Sequence, residues 1–170
     1  CYLTVSEGYV RAKDTQRRGG IHVEAPGIYL LKDSTFVAGL ENFWGLGRAV
    51  TPDELHGGIF MASTVDSTCA VWDALVESNA SMDSHGGVDH LRPLLGEARR
   101  VGGNELIWMT DKTPHEALPQ KYNGHRQYFR LVTSEISLWY EDHSTPNPKV
   151  PLPAHVKIIR GSKFDGDSKV

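Results

Sequence analysis

The chain has 170 residues, which is enough for one domain with a single sizeable core. Hydrophobic residues make up 39% of it and charged residues 23%, as in ordinary globular domains. A formal net charge of −3 gives no electrostatic reason to expect nucleic acid or an anionic membrane as a partner. No apolar run approaches the roughly eighteen residues of a membrane-spanning helix, so we expect no membrane partner.

The first residue is Cys1 instead of Met. We therefore expect a processed product or a piece of a longer chain, in which a targeting segment would not be visible. A cytoplasmic location is the working expectation. Two cysteines, Cys1 and Cys69, are too few for a disulfide framework. Cys69 is expected to be a small buried hydrophobe.

Short strands separated by glycine- and proline-rich turns dominate the pattern. In chain order we expect strands in CYLTVSEGYVRAKD, IHVEAPGIYLL, STFVAG, GRAVTPDELHGGIFMASTV, ELIWMTD and RQYFRLVTSEISLWYED. The segment TCAVWDALVES is predicted to be a helix, because Val71, Trp72, Leu75 and Val76 fall at helical spacing. Many short strands with few helices favour a β-sandwich or barrel.

Three regions follow from these elements. Residues 1–140 are assigned to one mostly β domain with one or two short helices. Within it, residues 79–103 are polar and glycine-rich, with a short helical piece around HLRPLLGEARR, and we interpret them as an insertion that forms a lid. Residues 141–170 are assigned to a proline-rich arm that packs on this domain or extends from it.

A split set of candidate metal ligands is the most informative feature. His22 and Glu24, in RRGGIHVEAPG, would project from the same side of a strand, because side chains at i and i+2 share a face. His115, in NELIWMTDKTPHEALP, would add a second imidazole from a distant strand. Two histidines and one carboxylate on one side of a metal leave positions open for substrate and oxygen, which is typical of non-haem Fe(II) oxygenases.

The long strand after His115 carries two arginines on one face, which either points into the barrel or is solvated. Arg126 follows His115 by about eleven residues and Arg130 by about fifteen, and both share a strand face with Tyr128. A guanidinium inside a small barrel is unfavourable unless it pairs with an anion, and its planar fork suits a carboxylate. A dicarboxylate co-substrate would supply that anion.

Taken together, His-x-Glu, a distant His and the following Arg resemble the Fe(II)/2-oxoglutarate-dependent dioxygenases. The resemblance covers roughly residues 9–140, with its specificity in the two motif segments. It implies a double-stranded β-helix, or jelly-roll, in which His22, Glu24 and His115 bind iron and Arg126 binds the distal carboxylate of the co-substrate 2-oxoglutarate. It also implies an oxygenase that hydroxylates a small molecule or a peptide side chain.

Three departures from the family pattern are visible. Glu24 stands where Asp is usual, Tyr128 stands where Ser or Thr often follows the arginine, and the long gap between His22 and His115 requires an insertion. Whether Arg126 or Arg130 grips the co-substrate is left open, with Tyr128 beside both.

Other interpretations remain at this stage. His56, His85, Asp89 and His90 form a competing set of possible metal ligands, or could line a substrate pocket. Asp111 or Glu116 could orient the imidazole of His115, and Trp44 could contact substrate. The chain could also be a cupin-like metalloenzyme that does not use 2-oxoglutarate, or a non-catalytic jelly-roll binding module.

Overall fold

A computed structural model describes residues 1–24, 43–77, 82 and 86–160. Of these residues 39% lie in strands and 7% in short helices, so the expectation of a mostly β protein is confirmed. The strands are Tyr2–Val10 (β1), Gly47–Thr51 (β2), Glu54–Gly57 (β3), Ile59–Ser63 (β4), Cys69–Val71 (β5), Arg99–Arg100 (β6), Ile107–Met109 (β7), His115–Ala117 (β8), Gly124–Val132 (β9), Leu138–Tyr140 (β10) and Lys157–Ile159 (β11). Two 3-10 helices span Asp89–Leu94 and Glu141–His143.

The largest sheet has four antiparallel strands in the order β1-β9-β4-β7. Its central strand β9 alternates strictly, since Arg126, Tyr128, Arg130 and Val132 are all buried while the residues between them are more exposed. The predicted face of this strand is therefore the inner one. The predicted long strand is broken, however, because β9 ends at Val132 and β10 begins at Leu138.

A second sheet carries the histidines. It has three antiparallel strands in the order β6-β5-β8. Single β-bridges extend it beyond β8, from His115 to His22 and from His22 to Gly87. Thus a residue early in the chain and a residue late in the chain become neighbours in one sheet.

Two smaller sheets complete the described architecture. Strands β2 and β3 form an antiparallel hairpin, and β10 pairs with β11 in parallel. Because β11 follows the proline-rich stretch, residues of the C-terminal arm return to the domain, and Val156 is buried there. In the part of the chain that is described, the sheets do not join into a closed barrel.

The apolar residues form two clusters. One contains Ile59, Met61, Met109 and Val132 from the four-stranded sheet together with Cys69 from the second sheet. Burial of Cys69 agrees with its expected role. The other cluster consists of Ile21, Val23, Ala70, Trp72, Val76 and Val88. Because neighbouring residues of a strand point to opposite sides, Ala70 and Trp72 place this second cluster on the other face of the second sheet.

The helix predicted in TCAVWDALVES is absent from the structure, and that prediction was wrong. The backbone N–H of Trp72 donates to the carbonyl of Pro114, and that of Val76 donates to Lys112, instead of bonding within the segment. Leu75, which a helical stripe would bury, is 55% exposed. Side chains here alternate with the period of a strand, and pairing with β8 overrides the helical spacing.

The described part of residues 79–103 is built into the fold, which corrects the lid interpretation there. Val88 is fully buried, and its N–H donates to the carbonyl of Ile21. The carboxylate of Asp89 accepts the N–H of Ile21, and the predicted short helical piece begins at Asp89 as a 3-10 helix. This stretch covers the face of the second sheet that points away from the four-stranded sheet.

Some expectations fall outside the described residues. These are the strand STFVAG, the end of IHVEAPGIYLL, residues 79–81 and 83–85 with His85, and the tail from residue 161. Within the described ranges, no helix has the length and apolar character needed to cross a membrane.

Truncating Val88 tests whether this segment belongs to the core. Val88→Ala removes two methyl groups from a fully buried site, and should lower the free energy of unfolding by about 1.5–3 kcal/mol. Leu94→Ala in the same segment is the control, since Leu94 is 82% exposed and its loss should cost under about 0.5 kcal/mol. Urea denaturation measures both, and equal small effects would restore the lid interpretation.

Candidate metal and anion site

His22 and His115 are held side by side by their own backbones. The N–H of each donates to the carbonyl of the other, with both N···O distances 3.0 Å. Their imidazole rings are tilted against each other, with centroids 4.4 Å apart. Two histidines from opposite ends of the predicted motif therefore form one pair on the second sheet.

Each imidazole is oriented by a carbonyl two residues before it. Nδ1 of His22 lies 2.8 Å from the carbonyl oxygen of Gly20, and Nδ1 of His115 lies 3.0 Å from that of Thr113. A carbonyl only accepts, so each Nδ1 carries a proton, and in a neutral ring Nε2 then keeps its lone pair. This is the arrangement that orients histidine ligands in metal sites.

Gly20 is needed for this orientation. Its φ of +77° is a conformation that residues with a side chain rarely adopt, and a Cβ there would lie 2.6 Å from a carboxylate oxygen of Asp89. The turn directs the Gly20 carbonyl back to His22. In the sequence, the pair Gly19-Gly20 before His22 marks this turn.

Burial keeps the imidazole of His22 neutral. Desolvation, and then the neighbouring His115, lower its pKa from the usual value of about 6.5 to about 3. A neutral imidazole is the form that binds a metal. At neutral pH the His22 ring is thus available as a ligand without losing a proton.

Glu24 completes the predicted triad. Its N–H donates to the carbonyl of Asp111, and one carboxylate oxygen lies 3.7 Å from Nε2 of His115. The structure therefore brings His22, Glu24 and His115 together. Their donor set of two imidazoles and a carboxylate suits iron, zinc or a similar divalent ion.

Arg130 binds the carboxylate of Glu24, which the sequence analysis did not foresee. Its Nη1 donates to Oε1 of Glu24, and its Nη2 lies 3.5 Å from the hydroxyl of Thr4. The guanidinium also lies 5.9 Å from the ring centroid of Trp44. Across the described ranges, no three His, Cys, Asp or Glu side chains are already arranged around a metal position. We attribute this to Glu24 being turned toward Arg130.

Arg126 offers a second, different cation. It is 2% exposed, and its Nε donates to Oγ of Ser63 at 2.9 Å. Burial lowers its pKa, but an arginine remains charged at neutral pH. No carboxylate of the described residues pairs with it. The planar guanidinium group has a geometry that suits a carboxylate or another oxyanion.

The phenol of Tyr128 and the thiol of Cys69, which lie near Arg126, are neutral. Burial raises the pKa of the Tyr128 phenol and of the Cys69 thiol, each to about 12, so neither supplies a negative charge at neutral pH. Ser63, which the sequence analysis missed, lies opposite Tyr128 where β4 pairs with β9. Only that pairing, which a single sequence does not reveal, brings Ser63 next to Arg126.

The competing metal ligands do not assemble in the described part of the chain. His56 is exposed and pairs with Glu54. Asp89 binds the N–H of Ile21 and the guanidinium of Arg92, while His90 is exposed. His85 lies outside the described residues.

The remaining sequence expectations are resolved by the contacts. Nδ1 of His115 bonds to a backbone carbonyl instead of Asp111 or Glu116, and Glu116 pairs with Arg92. Trp44 is buried in the core cluster and touches the site through Arg130. Comparison with family models, with curated proteins and with solved structures gave no significant match.

Removing Arg130 tests how much the Glu24–Arg130 ion pair contributes to the free energy of unfolding. Arg130→Met leaves the carboxylate of Glu24 largely buried without its partner, which should cost about 3 kcal/mol of unfolding free energy. The double variant Glu24→Gln/Arg130→Met removes both charges and should recover part of that loss. Chemical denaturation of the metal-free chain measures the cycle. Strictly additive losses would show that the two charges are not coupled.

Proposed function

We propose that this chain is a non-haem Fe(II)/2-oxoglutarate-dependent oxygenase with a jelly-roll fold. The observation that carries the proposal is the combination on the inner face of buried His115 and half-buried His22, a carboxylate beside them, and a buried arginine that lacks a carboxylate partner among the described residues. Any one of these features on its own could serve only to stabilise the fold. Together they provide a metal position and an anchor for a carboxylate.

The arrangement of the sheets supports the jelly-roll part of the proposal. Two antiparallel sheets contribute to one core, and the candidate ligands lie on the second sheet opposite the arginines of β9. In a jelly-roll, two such sheets continue into each other around the core. Such a frame would place the metal at its open end and the co-substrate between the sheets.

Each residue of the site would have a distinct role. His22, Glu24 and His115 would hold the iron, which, with 2-oxoglutarate, supplies oxygen activation for hydroxylating a C–H bond. Arg126 would bind the distal carboxylate of 2-oxoglutarate, with Ser63 fixing its guanidinium. The protein's contribution is orientation of the two substrates and exclusion of water.

Arg130 is assigned a different role from Arg126. Since it already binds Glu24, it would keep that carboxylate ionised and oriented, and is not the co-substrate anchor. Glutamate is longer than the aspartate usual in the family. Arg130 binds Oε1, which is also the oxygen that lies 3.7 Å from Nε2 of His115, so Oε2 would have to turn toward the histidines to bind the metal.

A cupin-like metalloenzyme is the second candidate, because Arg126 would serve equally well to bind an acidic substrate of its own. That enzyme would bind metal through the same triad but would show no specific affinity for 2-oxoglutarate. The two candidates therefore differ in their ligand and share their metal site.

Removing either histidine tests the metal assignment. His22→Ala and His115→Ala should each abolish tight Fe(II) binding, because each variant removes one of the two imidazoles that the described residues bring to the site. Metal content after anaerobic reconstitution is the measurement, with exposed His56→Ala as the control that should bind normally. Full iron stoichiometry in His22→Ala would contradict the assignment.

A conservative substitution of Arg126 tests whether this residue binds the distal carboxylate of 2-oxoglutarate. Arg126→Lys keeps the charge but loses the planar fork, so 2-oxoglutarate affinity should fall roughly ten- to a hundredfold, about 1.5–3 kcal/mol. Iron binding should be unchanged. Arg11→Lys, at an exposed position, is the matched control. Unaltered 2-oxoglutarate affinity in Arg126→Lys would reject Arg126 as the anchor, whereas absence of 2-oxoglutarate binding to the wild type would favour the cupin-like alternative.

A further inference from the structure

Arg17 is a half-buried arginine that the proposed function leaves unused. Its guanidinium carbon lies 5.2 Å from the ring centroid of Tyr128, and that of Arg126 lies 5.8 Å from the same centroid. The neighbouring Gln16 fixes this segment to β9, since its Nε2 donates to the carbonyl of Arg126 at 3.1 Å. The segment before His22 thus brings a second guanidinium to the ring that borders the anion anchor.

Arg17 and Arg126 both lack an acidic partner among the described residues, since no Asp or Glu there forms an ion pair with either of them. The positive charge of Arg17 adds to burial in lowering the pKa of Arg126. Arg18 also acts on the site, since its charge adds to the lowering of the pKa of His22. Positive charge therefore accumulates on this side of the site.

The charges around the site do not balance even with the proposed metal and co-substrate. Arg17, Arg126 and Arg130 are cations, and Glu24 is the one anion of the described residues that faces them. A divalent metal adds two positive charges, and 2-oxoglutarate removes the same number. Counting only the described residues and these two ligands, two positive charges remain uncompensated. Such an excess in a partly buried site is unfavourable unless another anion binds.

We propose that Arg17 binds an anionic group, a carboxylate or a phosphate, of the substrate that is oxidised. The inference rests on the proposed function, and it narrows the substrate to acidic molecules. Arg126 is almost fully buried and suits the inner carboxylate of the co-substrate, whereas Arg17 is only half-buried and remains within reach of a ligand that arrives from solvent. A planar guanidinium packed on an aromatic ring is also well ordered for binding oxyanions.

The test measures the affinities of 2-oxoglutarate and of a small anionic probe for the same set of proteins. The full chain is loaded with Mn(II), which resembles Fe(II) but is stable in air, and is titrated calorimetrically with 2-oxoglutarate. The saturated protein is then titrated with inorganic phosphate and, separately, with acetate, as probes for the two kinds of anionic group. The proteins are the wild type, Arg17→Gln, Arg17→Lys, Arg126→Gln, and Arg11→Gln as an exposed control with the same charge change.

At least one probe should bind about tenfold more weakly to Arg17→Gln than to the wild type, as expected for loss of a charged hydrogen bond. Arg17→Lys should keep most of the affinity, Arg11→Gln should match the wild type, and 2-oxoglutarate affinity should change little in Arg17→Gln. Arg126→Gln should show the reverse pattern.

Three results would overturn the inference. These are equal probe affinity in Arg17→Gln and wild type, absence of probe binding to the wild type, and a loss of 2-oxoglutarate affinity in Arg17→Gln as large as in Arg126→Gln. If the wild type does not bind 2-oxoglutarate, the proposed function fails separately. The probe titrations on the metal-free wild type and Arg17→Gln then decide the role of Arg17 by the same comparison.

Discussion

The reciprocal backbone hydrogen bonds between His22 and His115 are the interaction on which the site depends. They join a segment near the start of the chain to the edge of the second sheet, and thereby fix the spacing of the two imidazoles. The carbonyls of Gly20 and Thr113 then set both ring orientations. Because these are backbone contacts, the fold itself fixes the positions of the two imidazole rings.

Charge is the second organising constraint, because four ionised side chains lie in a small volume. Arg130 and Glu24 neutralise each other, whereas Arg17 and Arg126 do not have a described acidic partner. The first pair stabilises the fold and fixes a candidate ligand. The second pair would bind the anionic groups of the proposed co-substrate and substrate. One strand, β9, carries both kinds of arginine four residues apart, so its alternation places both on the inner face.

The sequence was most informative where the two-residue period of a β-strand was enough to predict which side chains share a face. That period placed His22 with Glu24, and Arg126 with Arg130, on common faces. It failed at Val71–Val76, where a helical spacing arose by chance within strand and irregular backbone. It also took Val88 for part of a lid, because a glycine-rich context does not reveal burial. The Glu24–Arg130 and Ser63–Arg126 contacts depend on how distant strands pair, and a single sequence does not contain that information.

The central claim is that one site binds both a metal through the histidine pair and 2-oxoglutarate through Arg126. Anaerobic titration of the full chain with Fe(II) and 2-oxoglutarate tests it most directly, because a keto acid bound to iron gives a weak visible charge-transfer band. We predict that the band forms in the wild type, needs both ligands, and disappears in His115→Ala. Stoichiometric Fe(II) binding without a band at saturating 2-oxoglutarate, or a full band in His115→Ala, would contradict the account.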